Sequence, residues 1–357
     1  MTDASDAAAR SPAAAPTDRG GATISTPTPT PTSTDGSLVA RLRAAAHPLD
    51  LAVLLAVPVV LAAAALLPPD ARLALAFSYT DPTLRTAFGA NFLHVSPDHL
   101  LSNLATYALL APTVYLLSVL SDRRDRFYVV FVSFLVVFPA VLSVLNLAIL
   151  RRGVLLGFSG VNAAFVGYLP LALAGYLRSV FGVRAERELA AGLFFLGLAL
   201  VAVLVVRTPV TYAVAAVATL AAVGRLRAVD AGPPRSRDAL GAPGEAELAA
   251  VAVILLFGGL LCAFPPDPVV AGAIVNVYVH LVGFALGFIA PFVTFGLAPA
   301  VERSRAVAAL REYHIPVRAH ARIVPSVPPR PTASPPARHP DAAGTVPRTT
   351  AASARWW

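Results

Sequence analysis

About eight apolar runs, each near the roughly 20 residues that a helix needs to cross a bilayer, govern how this chain can fold. They cover Leu49 to Leu67, His99 to Leu120, Phe127 to Leu150, Leu155 to Leu177, Leu189 to Val206 and Pro209 to Val223. A seventh ends at Phe264-Pro265-Pro266, and the eighth covers Val269 to about Leu297. Lipid offers a bare backbone no hydrogen-bond partner, so runs of this length must be helices that satisfy their own N–H and C=O groups. With 57% hydrophobic and 13% charged residues, a soluble domain is excluded. The expected fold is an all-α, polytopic membrane helix bundle of about eight spans.

Charge sets the expected topology. All 28 basic residues are Arg, and they concentrate in the tails and in the loops after spans two, four and six. With eight spans these segments share one side, which the excess of positive charge assigns to the cytoplasm. Arg151 and Arg152 fall on the other side and are outnumbered. An integral protein of the plasma membrane with both termini cytoplasmic is therefore expected. The net charge of +8 follows from this topology and from the anionic leaflet, and implies no nucleic-acid partner. The single Cys262 excludes an internal disulfide and a multi-Cys metal site.

Three regions are expected: a disordered cytoplasmic tail over 1–46, a membrane domain over 47–300, and a mostly disordered Arg/Pro-rich cytoplasmic tail over 301–357. The first tail includes Ser25-Thr26-Pro27-Thr28-Pro29, a composition unable to bury enough apolar surface to fold. It has no apolar core like that of a signal peptide, so span one is expected to direct its own insertion. Asp70 to Asp98 mixes Arg72, Asp81 and Arg85 with Phe77, Tyr79, Phe88 and Phe92, and is expected to lie at the membrane interface.

Polar groups inside the spans are few. Span four opens with Gly157-Phe158-Ser159-Gly160, a hydroxyl between small residues that let neighbouring backbone approach and leave its Oγ uncovered. Such a cluster also serves plain helix packing. Of seven His residues, only His99 and His280 belong to spans, where an ionisable group is costly and points to function. His280, about eleven residues into the last run, precedes Gly283 and Gly287, whose four-residue spacing makes a smooth stripe for a partner helix. Were that partner span four, His280 would reach Ser159 and could accept its proton. Alternatively it bonds Asn276 or a neighbouring helix. His99 and Asn103, four apart, share a helix face and suit either stabilisation of an oxyanion or anchoring at the interface.

These residues resemble the rhomboid family of intramembrane serine proteases. His99-Leu100-Leu101-Ser102-Asn103 matches its H-x-x-x-N, Gly157-Phe158-Ser159-Gly160 its G-x-S-G, and His280 to Gly287 its H-x-x-G-x-x-x-G, in the family's order. Phe92 to Asp98 is also similar to the segment entering the second core helix. The resemblance implies a six-helix core, with Ser159 as nucleophile and His280 as its general base. His99, Asn103 and the Ser159 N–H would form the oxyanion hole, and Gly157, Gly160, Gly283 and Gly287 would serve close packing. It further implies a single-span membrane protein as substrate, cut near the outer surface where its helix unwinds, in contact with the lipid bilayer and without a cofactor or metal. It sets no oligomeric state. Three departures stand out. The first-loop Trp-Arg pair is missing, since Trp356 and Trp357 end the chain and Arg85 has no adjacent Trp. Ala163 stands where many members carry a Tyr that packs on the catalytic His. Two more spans lie between the Ser and His spans than in the family core, either five and six or six and seven.

Composition weighs against other intramembrane proteases. An aspartyl type needs two Asp residues within spans, and none is read there; H-E-x-x-H is absent; a Ser-Lys dyad has no Lys. A transporter would carry several mid-membrane charges or internal repeats, and neither is evident. A non-catalytic rhomboid-like protein that binds transmembrane helices is the alternative; such relatives usually lack the Ser or the His.

Overall fold

The protein is described as a computed structural model over residues 38–149, 152–205, 207–229, 243–267, 269–270 and 273–303. The expected disorder of 1–37 and 304–357 lies outside these residues, as does most of the basic connector after span six. Within the first tail, however, Leu38–Ala45 forms a helix, α1. It is held because the Arg41 guanidinium pairs with the buried Glu245 carboxylate and donates to Leu120 O at 3.3 Å.

Seven helices are long and apolar enough to cross a membrane, and a bent pair brings the number to eight. They are α2 (Pro48–Ala65), α5 (Pro97–Val119), α8 (Ser159–Phe181), α9 (Glu186–Val205), α10 (Pro209–Arg227), α11 (Glu245–Ala263) and α12 (Val277–Arg303), with the pair α6 (Arg124–Val136) and α7 (Phe138–Leu145). The pair bends by 50°. Pro139 explains the break: it brings no N–H, and its ring excludes the carbonyl four residues earlier. The chain is an integral membrane helix bundle.

The central helix is α8, 89% buried along its apolar window, with α5, α9 and α11 packed around it. Hydrophobicity cannot drive helices together in lipid, so close van der Waals packing must. The α8 sequence is suited to this, because Gly160, Ala163, Ala164 and Gly167 allow backbone-to-backbone approach by α12. A Cβ on Gly283 would collide with Gly160 O, one on Gly287 with Ala164 O, and one on Gly167 with Phe284 O. By contrast, α10 packs on α9 and is only 17% buried. Of this hairpin only α10 is peripheral: α9 packs on α8 and α11, and its Phe194 stacks on Phe284 and Phe288 of α12, while α11 contacts α5 as well as α8.

The interfacial segment is ordered. It comprises α3 (Pro69–Ala74), β1 (Phe77–Ser78), α4 (Leu84–Gly89) and a 3-10 turn over Ala90–Phe92. Thr83 caps α4 by accepting from Thr86 N. The buried Asn91 amide donates to Pro139 O and Ser143 Oγ, both at 3.0 Å, which fixes the segment to α7. β1 pairs antiparallel with β2 (Val154–Leu155), Phe77 opposite Leu155.

Two boundaries differ from the expected ones, and so does one acidic position. Val154–Leu155 is strand, and α8 begins at Ser159, because Gly157 takes a φ of +123° that no helix continues through. The last span begins at Val277; the β-branched run before it forms a hairpin of β3 (Val269–Val270) and β4 (Ala273–Ile274). His280 therefore sits in the first turn of α12, not eleven residues deep. Asp50 lies in the first turn of α2, where Tyr115 and Tyr128 hydroxyls donate to its buried carboxylate. It is a single acid at a helix end, not one of a facing pair.

Candidate active site

Helices that alternate through a bilayer bring the start of α5, the start of α8, the end of α11 and the start of α12 to one end of the bundle. His99, Ser159, Ala263 and His280 occupy these four positions. Ser159 is the first residue of α8, so its backbone N–H has no carbonyl one turn earlier to bond. The preceding loop is fixed twice, by the β1–β2 pairing and by Gly157 N–H donating to Ala90 O at 3.0 Å. Phe158, fully buried, packs between Phe92 and Tyr107 at ring separations of 5.9 and 6.1 Å. The half-buried Ser159 is thereby placed on a rigid turn.

His280 is buried, and its Nδ1 lies 2.7 Å from Ala263 O. A carbonyl oxygen only accepts, so Nδ1 carries the proton and Nε2 of the neutral ring is the acceptor. That carbonyl is one of those left over at the end of α11. The Phe264 ring stands edge-on to His280 at 6.2 Å. Together they orient the imidazole, although Ala163 offers it no aromatic support. Ala163 instead faces Gly283, where a Cβ would come within 3.2 Å; a larger residue would hold α12 away.

Among the described residues no hydrogen bond joins Ser159 to His280. What brings their helices together is the glycine contact: α12 closes on α8 at Gly160 and Gly283, immediately beside both residues, and a Cβ on Gly160 would meet Val279 at 3.1 Å. The expected alternative partner, Asn276, accepts the His280 backbone N–H, not the ring.

His99 is placed by Ser96, which caps α5 by accepting the His99 N–H at 3.2 Å. Its imidazole lies on Gly157, where a Cβ would fall 2.8 Å from the ring. This explains why a glycine stands two residues before Ser159. His99 is also close enough to His280 to interact electrostatically. Its Nδ1 is buried without a partner. The Asn103 amide donates to His99 O at 3.0 Å, and its Oδ1 accepts from Asn162 at 3.1 Å. One N–H of the Asn103 amide remains for a further acceptor.

Asn162 and His94 escaped the sequence reading. Asn162, three after Ser159, also donates to Asn103 O at 3.0 Å, a buried polar strut between α8 and α5. An amide one turn from the hydroxyl was the available signal. His94 packs edge-on against His99 with ring centres 4.9 Å apart, while Arg72 donates to its carbonyl at 3.3 Å. Burial first, and then the charge of His99, push its pKa from 6.5 down to about 4.

A pH dependence of stability follows. Between about pH 6.5 and 4 the unfolded chain holds a proton on residue 94 that the folded chain refuses, so stability falls as pH is lowered through that window. The loss is at most about 3 kcal/mol at 1.36 kcal/mol per pKa unit. Above pH 6.5 this residue contributes no slope. Thermal unfolding in detergent at pH 7.5, 5.5 and 4.5 should show the decline, and His94→Phe should make it shallower.

Neither a family model nor a curated protein nor a solved structure matches this chain.

Proposed function

We propose that this protein is a rhomboid-like intramembrane serine protease that cuts single-span membrane proteins near the outer membrane surface. One observation carries the reading: the His280 Nδ1–Ala263 O bond leaves Nε2 as proton acceptor on a helix packed backbone-to-backbone against the helix that Ser159 opens. In the reaction, Ser159 Oγ attacks the scissile carbonyl carbon and its proton passes to His280 Nε2. Negative charge gathers on the substrate oxygen, beside the free Ser159 N–H, the remaining Asn103 N–H and the His99 ring. The C–N bond breaks, the leaving amine takes the proton from Nε2, and water then hydrolyses the ester by the same route.

The chemistry uses side chains and water alone. The site end of the bundle faces outward in this reading, with both termini cytoplasmic in the plasma membrane. The α9–α10 hairpin is the addition to a six-span core, and α11 is the span next to the His helix. A second reading, a non-catalytic protein that binds transmembrane helices, is favoured by the missing Ser159–His280 hydrogen bond. Catalytic hydrogen bonds are often long before substrate arrives, so we give it second place.

The test uses purified protein in detergent or liposomes, a helical single-span substrate and a fluorophosphonate probe. Cleavage, together with a probe adduct on Ser159, is the expected result. Stable capture of the substrate without cleavage or adduct would establish the helix-binding reading instead.

A further inference from the structure

At the end of the bundle opposite Ser159, the starts of α6 and α9 meet the end of α12. Glu186, Glu188 and five Arg residues gather in this region, with Asp122 and Asp125 exposed at the start of α6. Glu186 is taken by Arg123, with Nη2 to Oε2 at 2.7 Å, and by Arg178 at 3.1 Å. Glu188 is taken by Arg225 at 3.0 Å. Arg126 and Arg187 have no carboxylate partner among the described residues. Each guanidinium lies over an α12 ring: Arg126 is 5.2 Å from the Phe295 centre, and Arg187 is 4.4 Å from that of Phe292. Contact with a ring face leaves a guanidinium's N–H donors without acceptors.

The two rings stand three residues apart, on one face of α12, and the Arg123–Glu186 ion pair joins the two segments that carry the cations. Gly296 makes room for one of them, since a Cβ there would collide with the Arg187 guanidinium. Arg126, half-buried, also lies within electrostatic range of Arg123, Glu186 and Arg178. Counting Arg123, Arg126, Arg178 and Arg187 against Glu186 leaves an excess of three positive charges within this cluster, at the ends of the spans.

We propose that Arg126 and Arg187, backed by Phe292 and Phe295, form a binding site for the phosphate of an anionic glycerophospholipid. A guanidinium matches phosphate oxygens bidentately. The half-buried rings beside it offer the apolar surface that a glycerol backbone and the first acyl carbons need. Basic pockets between spans at this depth suit lipid headgroups. A free phosphate would use the cations and leave the rings idle.

Full-length protein in detergent would be titrated separately with short-chain phosphatidylglycerol, short-chain phosphatidylcholine and inorganic phosphate. Thermal unfolding and native mass spectrometry are the readouts. Phosphatidylglycerol alone should raise the unfolding temperature and survive as a one-to-one adduct. The double variant Arg126→Gln/Arg187→Gln should lose the adduct and the shift, whereas Arg225→Gln, which removes equal charge from a paired site nearby, should keep both. Gly296→Ala, which displaces Arg187 without removing a charge, should weaken the adduct several-fold and guards against a misfolded double variant. An equal shift with phosphatidylcholine, or retention of the adduct by the double variant, would overturn the proposal. The same shift from inorganic phosphate would overturn the lipid as its source.

Discussion

Ser159→Ala and His280→Ala are each expected to lower cleavage of a single-span substrate by about 10³-fold or more, and the double variant by no more than either alone. Residues that act as one unit are not additive: a base without its nucleophile, or the reverse, retains only what binding and the oxyanion donors supply. The structure sharpens the test. His280 Nδ1 is committed to Ala263 O, so His280→Asn could keep that hydrogen bond while losing the basic Nε2, and should be as inactive as His280→Ala. Each variant should unfold within a few degrees of wild type, because neither hydroxyl nor imidazole holds α8 and α12 together. Cleavage that survives Ser159→Ala would sink the assignment, as would losses in the two single variants that multiply in the double.

Gly287→Leu should have the opposite profile, disrupting the fold and activity together. A side chain at Gly287 meets Ala164 O, and at Gly283 meets Gly160 O; both obstacles are helix backbone, which cannot move aside as a flexible side chain can. The helices must separate, and over-packing of this kind costs about 1–3 kcal/mol or more. In lipid no hydrophobic force offsets the lost contact. The expected result is a large drop in unfolding temperature and near-complete loss of activity in detergent. Gly258→Leu, on α11 where a Cβ meets nothing within 4 Å, is the matched control and should be mild. Wild-type stability in Gly287→Leu would mean that α8 and α12 are not joined here.

The spans were legible because bilayer thickness fixes their length, and the α8–α12 contact because glycine spacing marks a face. The depth of His280 was misjudged because Val269 to Ile274 is as apolar as a span; hydropathy does not separate a β-branched hairpin from a helix start. The break in span three had a visible cause in Pro139. The α1 helix did not, since its order comes from Arg41 reaching a Glu more than two hundred positions away. Likewise, Pro265-Pro266 marked the end of α11, but nothing local says that the freed Ala263 carbonyl meets an imidazole. Asn162 was hidden by its neighbour: beside a Ser flanked by glycines, an amide one turn on reads as ordinary.

The order of the helices also sets a schedule for biogenesis. α8, with its hydroxyl, enters the membrane while α9, α10 and α11 are still to be made, and the imidazole arrives only with α12, the last span. A nascent or truncated chain that stops before Val277 holds a nucleophile without a base and without the carbonyl-anchored ring. On the proposed chemistry, the protein is harmless to its translocating neighbours until insertion is complete, a safeguard that requires no pro-segment and no inhibitor.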